Sequence, residues 1–400
     1  MQNQKRSQLE FVVLMAALMS IVALSIDAVL PALPKIGTYL NSVNETENQK
    51  LITTIFLGLG FGQLIFGPLS DSFGRKPMVY IGFGVFIIAS IICITTRNFE
   101  MMLFGRVLQG IGLSSPRTMS TAIVRDSYSG DHMAKILSIV TMTFILVPVI
   151  APMLGQFLLL HFGWHSIFTV NLAFGSLIIL WFWKRQPETL HDNYKKSFRF
   201  SNFKSGAITF FRIKSAVVYT LLSGLITGSF MVYLSTSQHI FQVQYALGDL
   251  FPYIFASLAV TIGLSTFLNS AIVIRFGMWN LVNIALIVFV LNALVYIVTF
   301  WSGVNPPIGV LVAFLMLQFA SVAFLFGNYR ALAMEPMGHI AGIGAALNGF
   351  ISTVMAVPIA NFIGSYITTS VLPLFIGFFI TGIIGLALFY SVKKPVRAKA

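Results

Sequence analysis

From residue 136 to residue 183 the chain contains no Asp, Glu, Lys or Arg. A helix crossing a bilayer needs about 20 apolar residues. This one run therefore accommodates two crossings, with a turn at His161-Phe162-Gly163-Trp164-His165. The same spacing recurs along the sequence. Lys50 and Asp71 enclose 20 uncharged residues, and so do Lys76 and Arg97. Further spans fit before Lys35 and within 98–124, 215–248 and 250–274. Two more fit in 276–329, broken at Gly303-Val304-Asn305-Pro306-Pro307. The last two fit in 336–392, broken near Ser370-Val371-Leu372-Pro373. Composition agrees: 57% of residues are hydrophobic and 9% charged, against roughly 25% charged in soluble domains. The expected fold class is an all-α membrane protein with twelve transmembrane helices.

The formal charge of +13 invites a nucleic-acid reading, which the positions of the charges exclude. With the amino terminus inside, the inner segments hold 20 of the 25 basic residues and the outer loops hold only Lys35, Lys50 and Arg97. That bias is an orientation signal and puts both termini in the cytoplasm. Eight basic residues fall in 184–214, the only long polar stretch. It separates a six-helix bundle at 1–184 from another at 215–400, with 185–214 as a basic cytoplasmic linker near anionic lipid. A lone cysteine, Cys93, and the lack of any His/Cys cluster leave no metal or cofactor to expect. No nucleophile–base pair suggests an enzyme.

Asp27 is the only charged residue between Glu10 and Lys35. An acid inside a span costs about 2.5–3.5 kcal/mol on insertion scales, so it usually has a task. Here the task expected is uptake and release of a proton. Arg106 and Arg117 lie within span four, eleven residues apart. That is ~16 Å along a helix and within ~20° of the same face. Both are expected to point into a water-filled cavity. Asp27 and Arg106 are expected at a similar depth, where they can pair.

Three motifs add detail. The loop between spans two and three reads Gly67-Pro68-Leu69-Ser70-Asp71-Ser72-Phe73-Gly74-Arg75-Lys76-Pro77. Its glycines permit a tight turn. Asp71 can face the positive amino end of a neighbouring helix, and Arg75 can pair with an acid such as Asp126. Arg275-Phe276-Gly277 echoes this loop and suggests duplicated halves. Span four carries Arg106-Val107-Leu108-Gln109-Gly110. Span five carries Pro148 and Ala151-Pro152-Met153-Leu154-Gly155, which bend a helix and admit a close neighbour.

Together with Ser25-Ile26-Asp27 leading into Leu30-Pro31-Ala32-Leu33-Pro34, with Arg125-Asp126, and with Asn328 followed by His339-Ile340-Ala341-Gly342, these motifs resemble the major facilitator superfamily. Within it they are similar to the twelve-span drug:proton antiporters, above all the bicyclomycin/chloramphenicol-resistance (Bcr/CflA) exporters. The resemblance covers the whole chain. It implies two bundles rocking around a central site, placement in a bacterial inner membrane, and export of small amphipathic compounds, with protons and the lipid bilayer as further partners. A monomer is expected. The residues expected to act are Asp27 and Arg106 in proton coupling; Asp27, Arg106, Gln109 and Arg117 at the substrate; and Gly67, Asp71, Gly74, Arg75, Asp126, Pro152 and Gly155 in conformational gating. In related exporters the position of Arg117 usually holds a small or apolar residue, so this arginine is a property of the present chain. Two arginines on one face favour anionic, zwitterionic or neutral polar substrates over lipophilic cations. The alternatives are a proton-coupled importer and a passive facilitator of a small anionic metabolite.

Overall fold

The structure, a computed structural model, describes residues 7–42, 45–128, 130–190 and 200–392. The basic residues Lys5, Arg6, Lys195, Lys196, Arg199, Lys393, Lys394, Arg397 and Lys399 lie outside these, as do the side chains of Lys135, His339, Ile340 and Ala341.

Among the described residues the fold is built from helices, and no strand occurs. The long ones are α1 (Gln8–Asp27), α2 (Lys50–Phe73), α3 (Arg75–Thr95), α4 (Phe99–Ser127), α5 (Gly130–Phe162) and α6 (His165–Arg185). They continue as α7 (Lys214–Gln238), α8 (Phe251–Phe276), α9 (Met278–Thr299), α10 (Ile308–Met334), α11 (Ala341–Gly364) and α12 (Leu372–Tyr390). A shorter helix, Phe200–Arg212, precedes α7. Ten candidate spans are long and apolar enough to cross a membrane. The other two long helices are α4, which carries Arg106 and Arg117, and α5, whose apolar part is Leu146–Phe162. Large side chains such as Phe267 and Ile274 stand 75% and 88% exposed. That is untenable in water on this scale but ordinary against lipid. The protein is a multi-pass membrane protein.

The chain divides into two compact units, Met1–Phe200 and Ser201–Ala400. Each is assembled in the same way. In the first, α4 packs on α1, α2 and α3, α1 on α5 and α6, and α3 on α6. In the second, α10 packs on α7, α8 and α9, α7 on α11 and α12, and α9 on α12. Adding six to each helix number converts one list into the other, so the repeat suggested by Arg275-Phe276-Gly277 extends to the packing. The two turns match as well. Gly74 (φ 104°) joins α2 to α3, and Gly277 (φ 79°) joins α8 to α9. In each case the glycine N–H closes on the carbonyl four residues back, that of Ser70 or Val273. Both sit in the left-handed region, where only glycine is unstrained.

The first span is interrupted at its acid. α1 ends at Asp27, a 3-10 turn covers Leu30–Ala32, and a short helix runs over Leu33–Tyr39. Pro31 has no N–H to offer the Asp27 carbonyl four residues back, and Pro34 has none for Leu30. The two prolines therefore place Asp27 at a helix end within the span, with some backbone carbonyls needing other partners.

Candidate functional site

Arg106 answers that need. It is fully enclosed, 0% exposed, on α4. Its Nη1 donates to the Ser25 carbonyl at 3.0 Å, at the broken end of α1, and to Gln109 Oε1 at 2.9 Å. Its Nε donates to the Leu51 carbonyl of α2 at 2.9 Å. The Phe168 ring of α6 lies 5.8 Å from the guanidinium carbon. Gln109 passes the chain on, donating to Ser90 Oγ at 2.9 Å, which donates to the Phe86 carbonyl of α3. One arginine thus ties α1, α2 and α4 together and reaches α3 through Gln109. A cation at the carboxyl end of α1 also suits the negative end of its dipole. Nη2 of Arg106 and the hydroxyl of Ser25 have no hydrogen-bond partner among the described residues.

Asp27 is 5% exposed, and its carboxyl makes no hydrogen bond or ion pair among the described residues. Two expectations therefore need correction. Arg106 reaches the depth of Asp27 but bonds the Ser25 carbonyl instead of pairing with the acid. Nor does Arg106 face a water-filled cavity: its side of α4 is the packed side, against α1 and α2. Gln109, 1% exposed, has its amide engaged in the same interior chain. Both side chains are enclosed and hydrogen-bonded within the first unit. Arg117 is half-buried and directly follows Pro116, which lies inside α4. The eleven-residue spacing gives the two arginines different surroundings, one enclosed and one partly open.

α5 also packs on α1. Pro148 and Pro152 both lie inside it, and Pro152 is buried. Gly155 meets α1 at the residue after the acid, where a Cβ would lie 2.0 Å from the Ala28 carbonyl oxygen. Only glycine permits that approach. Gly155 thus fixes the distance of α5 from the broken end of α1.

The turn at Gly74 gathers the remaining candidates. Arg75 is 8% exposed. Its Nε donates to Asp126 Oδ2 at 2.9 Å, and its Nη1 to Ser70 Oγ at 2.7 Å and to Asp71 Oδ1. Ser70 Oγ donates in turn to the carbonyl of Gly67 at 2.7 Å. Asp71 points back at Arg75; the amino end of α3 is taken by another acid, Glu188. The carboxylate of Glu188 accepts the backbone N–H of Arg75 and of Lys76, each at 3.0 Å. It also accepts those of Thr189 and Leu190. Burial pushes the Glu188 carboxyl up, but these four donors outweigh it and hold the group below the usual carboxylate range. A Cβ on Gly74 would lie 2.6 Å from Glu188 Oε2, so this glycine is required twice, for its φ and for the acid beside it.

Sequence reasoning missed Glu188 and also Glu10. Glu10 on α1 receives Arg185 Nε and, at 2.6 Å, Arg185 Nη2, with Trp181 Nε1 at 3.3 Å. The signal for Glu188 was an acid just past a helix end, in a stretch dominated by bases. Among the described residues the equivalent turn of the second unit shows no such network: Arg275 stacks over the Phe276 ring at 5.5 Å.

The first unit of this duplicated six-helix membrane fold thus holds an enclosed arginine bracing a helix broken at an acid. The sequence pattern of the Major Facilitator Superfamily matches residues 15–360, and the chain belongs to that family. It is 30% identical to the uncharacterized MFS-type transporter YdgK of Bacillus subtilis, over 98% of this chain and 97% of that one. It is 27% identical to the bicyclomycin resistance protein homolog of Haemophilus influenzae, over 87% of each. A match to the multidrug resistance protein MdtL of Citrobacter koseri reaches 34%, over 42% of this chain and 43% of MdtL. Among solved structures, the D-xylose-proton symporter is similar with a TM-score of 0.74 at 15% identity, over 95% of this chain and 97% of that one. The human organic anion transporter MFSD10 has a TM-score of 0.69 at 19% identity, over 96% and 99%. At these identities the two structures share the fold.

Proposed function

We propose that the protein is a proton-coupled exporter of small amphipathic compounds in a bacterial inner membrane, with both termini on the inner side. The observation that carries this reading is Asp27, a buried carboxyl at the break in α1 that has no hydrogen-bond or ion-pair partner among the described residues. A charge there with no partner is costly, whereas a neutral acid is not. Proton loss gives Arg106 Nη2 an acceptor to draw in, and proton uptake releases it. Either step changes the contacts that hold the carboxyl end of α1. Transport then requires Asp27 to open in turn to each side of the membrane. Each charge moved gains about 2.3 kcal/mol per 100 mV of membrane potential. Gly155 and Pro152 let α5 follow α1.

Export of drugs is supported by relatives named for bicyclomycin and multidrug resistance. Asp71, Arg75 and Asp126, with Gly67 and Gly74 shaping their turn, act as a latch: ion pairs at a helix junction break and re-form without unfolding either helix. Arg117 faces the substrate and favours anionic or polar compounds. Inside-out vesicles with an imposed proton gradient test the direction. Uptake of drug into acidified vesicles supports export; drug leaving with protons instead indicates an importer, and flux indifferent to the gradient a passive facilitator.

A further inference from the structure

The helix Phe200–Arg212 has two faces. On one, Phe210 is fully buried, and a Cβ on Gly206 would lie 2.5 Å from Ile343 Cδ1 of α11. The helix is thus fixed to its own unit. On the other, Ile208 and Phe211 stand 44% and 59% exposed, with Lys204 and Arg212 exposed beside them. At ~100° per residue, Lys204, Ile208 and Phe211 fall within an arc of ~60°, with Arg212 at its edge. A single residue, Ile213, separates this helix from Lys214, the first residue of the spanning helix α7. The outer face is therefore held at the boundary of the bilayer. With 13 residues the helix is too short to cross.

We infer that this helix is a membrane-surface anchor whose outer face enters the headgroup layer of an anionic leaflet. Ile208 and Phe211 insert towards the acyl chains, while Lys204 and Arg212 meet lipid phosphates. Apolar side chains flanked by bases are the pattern of an interfacial helix, and the basic residues select negatively charged lipid. The sign of the charge and the position beside α7 favour phospholipid over a protein partner.

Cys93 is the only cysteine and is buried, so single introduced cysteines can be labelled. Spin labels at Ile208→Cys and Phe211→Cys in nanodiscs containing phosphatidylglycerol should collide several-fold more with dissolved oxygen than with a water-soluble nickel complex. A label at Ser205→Cys, which is exposed on the flank of that face, should show the reverse. Replacing phosphatidylglycerol by phosphatidylcholine should make the first two labels shallower, and Lys204→Gln with Arg212→Gln should remove that lipid dependence. Nickel-accessible labels at 208 and 211 would place the face in water, and labels shielded from both reagents would place it against protein; either overturns the anchor. Equal depth in both lipids overturns the anionic-leaflet assignment.

Discussion

Two arginines of the first unit are nearly buried, and they are satisfied in opposite ways. Arg75 sits between two carboxylates, Asp71 and Asp126, at the end of the helical layer. Arg106 sits among neutral acceptors only: two backbone carbonyls and an amide. An ion pair shared between helix ends can be exchanged, because water is near and each acid survives alone. An enclosed guanidinium bonded to backbone carbonyls cannot let go without leaving buried polar groups unpaired. In the proposed mechanism the charge at the turn switches, while the charge bonded to the Ser25 carbonyl stays. What remains free to change near Arg106 is the acid.

The largest effect should come from breaking the fixed arginine. Arg106→Lys keeps the charge but cannot reach three acceptors in a planar fork. Losing two contacts at about 1.5–3 kcal/mol each should lower the thermal unfolding temperature of the purified protein sharply and abolish transport. Arg75→Lys, by contrast, should unfold near the parent temperature and retain part of the activity. If both lysine variants behave alike, the contrast fails.

The turns give the next largest effect. Gly74→Ala is strained in the left-handed region and pressed against Glu188, whereas Gly277→Ala is strained through its positive φ. The backbone term is about 1–2 kcal/mol, so both variants should lose stability in thermal unfolding and Gly74→Ala should lose more. Equal losses would mean that Glu188 yields without cost.

A smaller effect concerns acid. The lowered Glu188 carboxyl contributes stability that is present above its ordinary, unfolded value and is lost as pH falls through its lowered, folded value. Glu188→Gln should lower thermal stability at neutral pH, flatten its decline over that acidic window, and leave the acid end close to the parent. An unchanged pH profile would show that the four backbone donors do not stabilise the charge. The smallest effect should come from Arg275→Ala, within about 0.5 kcal/mol, because Arg275 stacks on the exposed Phe276 ring.

Much of this was legible in the sequence. Charge-free runs mark the spans because a bilayer interior admits few charges, and Gly74 marks a turn because so few residues accept its φ. Asp27 stood out for the same reason as the spans. The direction of Arg106 was not legible. Spacing along α4 fixes a face, but only packing decides whether that face meets water or α1 and α2. Glu188 was hidden because its role depends on a backbone end 112 residues away in sequence, which no local pattern records. The break in α1 could have been read from Pro31 and Pro34, whose missing N–H groups free the carbonyls of Asp27 and Leu30.

The central claim is that Asp27 carries the proton. Purified protein in liposomes loaded with a pH-sensitive dye, given a transported drug, should show drug-elicited proton movement. Asp27→Asn should lose that movement completely while still exchanging labelled for unlabelled drug across the membrane. Proton movement at the parent rate in a folded Asp27→Asn protein would contradict the account.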